Sequence, residues 1–97
     1  MEIRKTTDFG EWLDNLTDLH ARARVQARIE RLAGGNPGDV RPVGEGVSEL
    51  RIDSGPGYRV YFTKQRNTLL ILLAGGTKSI QDKDIKSALR LARNLSE

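Results

Sequence analysis

The chain contains no cysteine, which removes disulfides, thiolate nucleophiles and cysteine-ligated zinc together. It has a single histidine, His20, so neither a multi-histidine metal centre nor a two-histidine acid–base pair can form within one copy. Long apolar runs are also missing: nothing approaches the ~20 residues of a membrane span, and the acid at position 2 does not suit a secretory leader. A cytoplasmic protein without membrane association is expected. Nor is there length for two cores. With 97 residues the chain can bury only about 60–65% of the surface its unfolded form exposes. Residues 1–97 are therefore read as one domain, and a large cleft between domains is excluded.

Charge is what the sequence has in quantity. Sixteen Lys+Arg face thirteen Asp+Glu, for a net +3 and a pI near 9.6, a balance compatible with a nucleic-acid partner. Most of the cations are arginine, whose planar fork suits phosphate and carboxylate.

Periodicity gives the organisation. Ile3 between charged neighbours fits a short edge strand. Phe9, Trp12, Leu13 and Leu16 recur at spacings of three and four, with Thr7 or Asp8 as N-cap, and predict a first helix. Thr17 and Asp18 offer a second cap ahead of Ala21, Val25, Ile29 and Leu32, a second helical stripe that ends at Gly34, Gly35, Asn36, Pro37 and Gly38. The two helices form a hairpin. Val40, Pro42 and Gly44 to Gly46 read as an irregular lead-in. From Val47 to Asp53 the pattern alternates, with Leu50 and Ile52 on one face and Glu49, Arg51 and Asp53 on the other. After a turn at 54–57, Tyr58, Val60 and Phe62 oppose Arg59, Tyr61 and Thr63, so these two strands should pair as a hairpin. The apolar run from Thr68 to Ala74 predicts a central strand covered on both faces and broken by Gly75 and Gly76. Ser79 and Asp82 resemble a capping box ahead of a third helix marked by Ile85, Leu89, Ala92 and Leu95. The order is β-α-α-β-β-β-α, an α+β domain with a helical hairpin packed on an antiparallel-rich sheet and a C-terminal helix.

Parity brings chemistry-bearing residues together. If Leu50 and Ile52 face the core, Arg51, Arg59 and Tyr61 share the face that the core does not use, and Lys78, just past the glycine pair, can reach back over it. Such a group can bind a phosphodiester and stabilise charge that builds on it during attack. The same pattern also fits solvated strand residues with Glu49 and Asp53 as ion-pair partners, and alternation alone does not choose between the two. On the second helix Arg24, Arg28 and Arg31 recur at i, i+4, i+7, a stripe that either follows a nucleic-acid backbone or is an ordinary solvated face beside Glu30. Phe9 and Trp12 are read as core and His20 as a structural or surface residue. Gly75-Gly76 lacks the further glycines and the Lys-Ser/Thr order of a P-loop.

The segments Val47–Asp53, Gly55-Pro56-Gly57-Tyr58-Arg59-Val60-Tyr61-Phe62, and Leu72 to Ser79 followed by Gln81-Asp82-Lys83-Asp84-Ile85 resemble the HigB-like "addiction module killer protein" branch of the RelE/ParE toxin superfamily, over nearly the whole chain. The resemblance implies a RelE-like fold and the toxin of a type II toxin–antitoxin pair, a ribosome-dependent endoribonuclease that cuts mRNA in the A site with neither metal nor cofactor. It implies as partners the ribosome, mRNA and a cognate antitoxin, a HigA-like helix-turn-helix protein through which operator DNA is reached. Attack of a ribose 2′-hydroxyl on the adjacent phosphate needs charge neutralisation and two proton transfers. The resemblance implies Arg59, Arg51 and Lys78 as the basic residues of the site. Arg59 and Arg51 are expected to stabilise the phosphate, Lys78 to add charge or exchange a proton, and Tyr61 to donate a proton or stack on a base. Several related toxins carry His or Tyr near the C-terminal helix, where this chain has Lys83 and Asp84, which leaves the general base open between Lys78 and Glu49. Two other readings remain: a ParE-type gyrase inhibitor, and a non-catalytic module that only binds the antitoxin.

Overall fold

Thr6 and Asp18 set where the N-terminal helices begin. The computed structural model describes residues 1–95, as β1 (Glu2–Lys5), α1 (Thr7–Asp14), α2 (Leu19–Ala33), β2 (Val40–Gly44), β3 (Val47–Ile52), β4 (Tyr58–Gln65), β5 (Leu69–Thr77), a 3-10 turn (Lys78–Ile80) and α3 (Gln81–Asn94). The Thr6 hydroxyl, rather than Thr7 or Asp8, accepts from the Phe9 N–H, and Asp18 accepts from His20 and Ala21, so each side chain satisfies helix-terminal donors that have no partner inside the helix.

The five strands form one sheet in the order β1-β5-β4-β3-β2, with β1 parallel to β5 and the rest antiparallel. The lead-in at 40–44 is thus an edge strand, paired to β3 with a register shift between Pro42 and Gly44. Its proline and its bulge are devices that edge strands tolerate and interior strands do not. β5 lies between β1 and β4, and β4 holds the middle place.

Both faces of the sheet are covered. Leu50, Ile52, Tyr58, Val60, Phe62, Leu70 and Leu72 pack against Phe9, Leu13, Val25 and Ile29 of the helical hairpin. On the opposite face Val47, Tyr61, Ile71, Leu73 and Ala74 form a second cluster with Ala88 of α3. The face that strand parity leaves out of the first core is therefore a second core for much of its length.

Gly75 and Gly76 do not end β5, which runs on to Thr77. A register shift between Tyr61 and Phe62 opposite Leu72 and Ala74 resets the alternation, so that Gly75 turns to the layer of α1 and Gly76 to that of α3. A Cβ on Gly75 would enter the Trp12 ring, and one on Gly76 would enter the Asp84 carboxyl. They are positions of close approach. The Ser79–Asp82 capping box does not form: Ser79 Oγ lies 3.0 Å from Thr77 Oγ1, and Ile80 precedes α3 without a side-chain cap.

Candidate functional site

The β3–β4 register sets Arg51 directly opposite Arg59, a pairing that like charges make unfavourable unless each is countered. Asp39 counters Arg51, with both carboxylate oxygens 3.2 Å from Nε. Arg59 is 8% exposed; its Nη1 donates to the Tyr58 carbonyl at 3.0 Å, and its Nε lies 3.9 Å from Glu49 Oε1. The turn between these strands bends back over the end of β5. Gly55 and Gly57 take φ of 53° and 78°, values that favour glycine, and the Gly57 carbonyl accepts the Lys78 N–H at 2.8 Å. A Cβ on Gly57 would stand 3.4 Å from Lys78 Cβ and 3.5 Å from Arg59 Nη1, so this glycine is where the lysine and the arginine close in on the turn.

The outcome is a hollow of about 570 Å³ lined by four cations, Arg41, Arg51, Arg59 and Lys78, against two carboxyls, Asp39 and Asp53, with Gln81 on its wall. Arg51, Arg59 and Lys78, which sequence parity placed on one face, line it together. An excess of positive charge around a concave opening, backed by backbone that carries no Cβ at its tightest point, is an arrangement that accepts a phosphate-sized anion.

Glu49 and Tyr61 are placed differently from the sequence expectation. Glu49 is fully buried behind the hollow. Gln81 Nε2 donates to its Oε2 at 2.6 Å, and Arg41 approaches its Oε1 at 3.7 Å. It holds the cations and cannot receive a proton from a bound substrate. Tyr61 is also fully buried, because α3 lands on the face it shares with Arg59, so it offers no stacking surface. Burial, then the charges of Glu49 and Asp84, push its hydroxyl far above the ordinary tyrosine range, against a smaller opposing effect of Arg59. The hydroxyl keeps its proton through the neutral range, and burial withdraws it from a substrate in the hollow. Asp84, on the first turn of α3 against Gly76, has its carboxyl raised by burial, with Lys83 acting the other way.

The helical arginines divide. Arg28 turns to the structure, its Nη1 donating to the Arg51 carbonyl at 3.0 Å and its Nη2 to that of Pro37 at 3.4 Å. It ties α2 to the back of the site strand and is withdrawn from the stripe. Arg24 and Arg31 remain exposed, as does His20. Sequence reasoning missed Arg41, Asp39 and Gln81. Arg41 and Asp39 lie in the stretch taken as irregular; read as a strand against β3, Arg41 pairs with Glu49 and the connection is immediate. Gln81 stood in a quoted motif without a role.

Comparison with known proteins gives the family. No helix among the described residues is long and apolar enough to cross a membrane. A curated protein of Haemophilus influenzae, described as uncharacterized, is 53% identical over 95 residues, which cover 98% of this chain and 96% of that one. The family model "Phage derived protein Gp49-like (DUF891)" matches residues 11–97, from the middle of α1 through α2, strands β2 to β5 and α3. The chain belongs to this phage-derived Gp49-like family, which is related to the addiction-module toxins.

Proposed function

We propose that the protein is the toxin of a toxin–antitoxin pair and acts as a ribosome-dependent endoribonuclease of the HigB-like kind. The observation that carries this reading is the convergence of Arg51, Arg59 and Lys78 on one hollow. In the proposed reaction the 2′-hydroxyl of one nucleotide attacks the adjacent phosphate, a cyclic phosphate forms and the 5′-oxygen leaves. The pentacoordinate phosphorane carries about one negative charge more than the phosphodiester, and fixed cations stabilise that increment most where water is displaced. Arg59 is the principal group, since its burial and its bond to the Tyr58 carbonyl hold it in place before substrate arrives. Arg51 and Lys78 complete the set. With Glu49 withdrawn, the carboxyls lining the hollow are Asp39, already on Arg51, and Asp53, which is exposed; Asp53 and Lys78 are the groups placed to exchange protons. So sparse a site suits a message bent into line by the ribosome, because orientation alone lowers a barrier by up to about 7–11 kcal/mol. The cognate partner in this reading is a helix-turn-helix antitoxin.

Induction of the chain under a tight promoter, with message ends mapped on translating ribosomes, tests the reading. Codon-phased cuts are expected, and Arg59→Ala should lower their yield by about 10²–10³-fold, the effect of losing one donor to a developing oxyanion. DNA breaks with intact messages would instead indicate a gyrase inhibitor, and the absence of both would leave an antitoxin-binding module. Undiminished cleavage by Arg59→Ala removes that residue from the mechanism.

A further inference from the structure

The hollow does not end at Lys78. A second one, of about 390 Å³, runs along residues 78–83 and shares Lys78 and Gln81 with the first. Beyond the shared wall it presents Ile80, which is 50% exposed, and Lys83. An exposed isoleucine between two lysines, with Asp82 alongside and an anion site next to it, combines an apolar surface on which a splayed-out base can pack with charge beside it for the phosphate.

Gln81 stands where the two hollows meet, and its amide is not free to turn. A carboxylate oxygen only accepts hydrogen bonds, so the 2.6 Å contact with Glu49 must be made by Nε2. Glu49 is fully buried and cannot exchange this contact for water. One N–H of the amide is thereby committed and the orientation of the group is set, which leaves Oε1 as the acceptor that Gln81 offers on a wall otherwise dominated by the donors Arg41, Arg51, Arg59 and Lys78. A fixed neutral acceptor among cations does nothing for a phosphate. It suits a donor carried by the same ligand.

Resting on the phosphate reading above, we infer that Gln81, held by Glu49, is a base-reading residue: its Oε1 accepts from the exocyclic amino group of a base packed on Ile80 while the adjoining phosphate occupies the cationic hollow. Glu49 acts as a positioning residue. Bases that carry an exocyclic amino group, cytosine, adenine and guanine, are favoured over uracil, which has none and presents a carbonyl where cytosine carries its amino group.

The test uses the full chain, isotopically labelled, titrated by NMR with two trinucleotides, all cytosine and all uracil, whose middle ribose is 2′-deoxy so that attack there is impossible. The wild type should bind the cytosine trimer about three- to tenfold more tightly, the effect of one hydrogen bond. Gln81→Ala should abolish the preference by weakening cytosine alone. Glu49→Gln, which lets the Gln81 amide face either way, should narrow it while the spectrum stays that of the folded protein. Arg59→Ala should weaken both trimers alike. A wild type without the cytosine preference, or a preference that survives Gln81→Ala, overturns the inference and leaves the phosphate site standing. Failure of both trimers to bind the wild type, or indifference to Arg59→Ala, removes the phosphate reading and this inference with it.

Discussion

Among the described residues, four buried polar atoms on and beside α3 lie outside hydrogen-bond distance of any partner: Glu49 Oε1, Arg59 Nε, the Tyr61 hydroxyl and Asp84 Oδ2. Buried groups in this condition each cost about 1–3 kcal/mol, and so small a domain has little stability to spare. Two of the four, on Glu49 and Arg59, belong to the site and its support. Asp84, on α3, allows the cost to be measured without touching the hollow. It adds a pH dependence. Burial raises its carboxyl in the folded state, so the folded protein holds this proton more tightly than the unfolded chain does. Above the ordinary value of 3.8 this group's contribution to stability declines as pH climbs through the folded pKa. Asp84→Asn removes that decline. Its gain in denaturation midpoint should be present at neutral pH and fade as pH falls towards 3.8; a gain independent of pH would mean that packing, not ionisation, is responsible.

At the scale of elements, the close approaches of β5 decide how the layers sit. Trp12 lies where a Gly75 side chain would be, its ring 5.7 Å from that of Phe9 and 6.4 Å from that of Tyr58. Gly75→Ala should force α1 outward and cost about 1–3 kcal/mol by overpacking, read as a lower midpoint in chemical denaturation. These contacts also show how far the elements were legible. Alternation in 47–53 and 58–63 correctly put Arg51 and Arg59 on one face, because period-2 alternation is a property of the strand itself. It could not say whether that face is covered. That depends on where α3 docks, and α3 covers Tyr61 and Glu49 while leaving Arg51 open. The strand at 40–44 escaped notice because proline and glycine mask alternation at an edge, and with it went Arg41. Gly75-Gly76 looked like a break because glycine marks both chain reversals and close contacts; only the Trp12 and Asp84 partners distinguish them.

Across the whole molecule the question is whether the net charge of +3 acts as a diffuse field or through one place. Four cations are gathered at the hollow, while Arg24 and Arg31 stand exposed on α2 and Arg28 is engaged with carbonyls. Salt dependence separates these contributions, since each neutralised phosphate of a single strand adds about −0.7 to the slope of log K against log salt. A trinucleotide held at the hollow, with cations converging on one linkage, should show a shallow slope of about −0.7 to −1.4, corresponding to one or two phosphates. Lys78→Ala should flatten it, and the double change Arg24→Ala with Arg31→Ala should leave it as it is. Docking to ribosomes, whose phosphates extend well beyond the hollow, should have a steeper slope that the helical double variant reduces. A trinucleotide slope that falls equally with both variants would mean that the basic charge acts as a field over the whole surface, and that the hollow holds no privileged position in it.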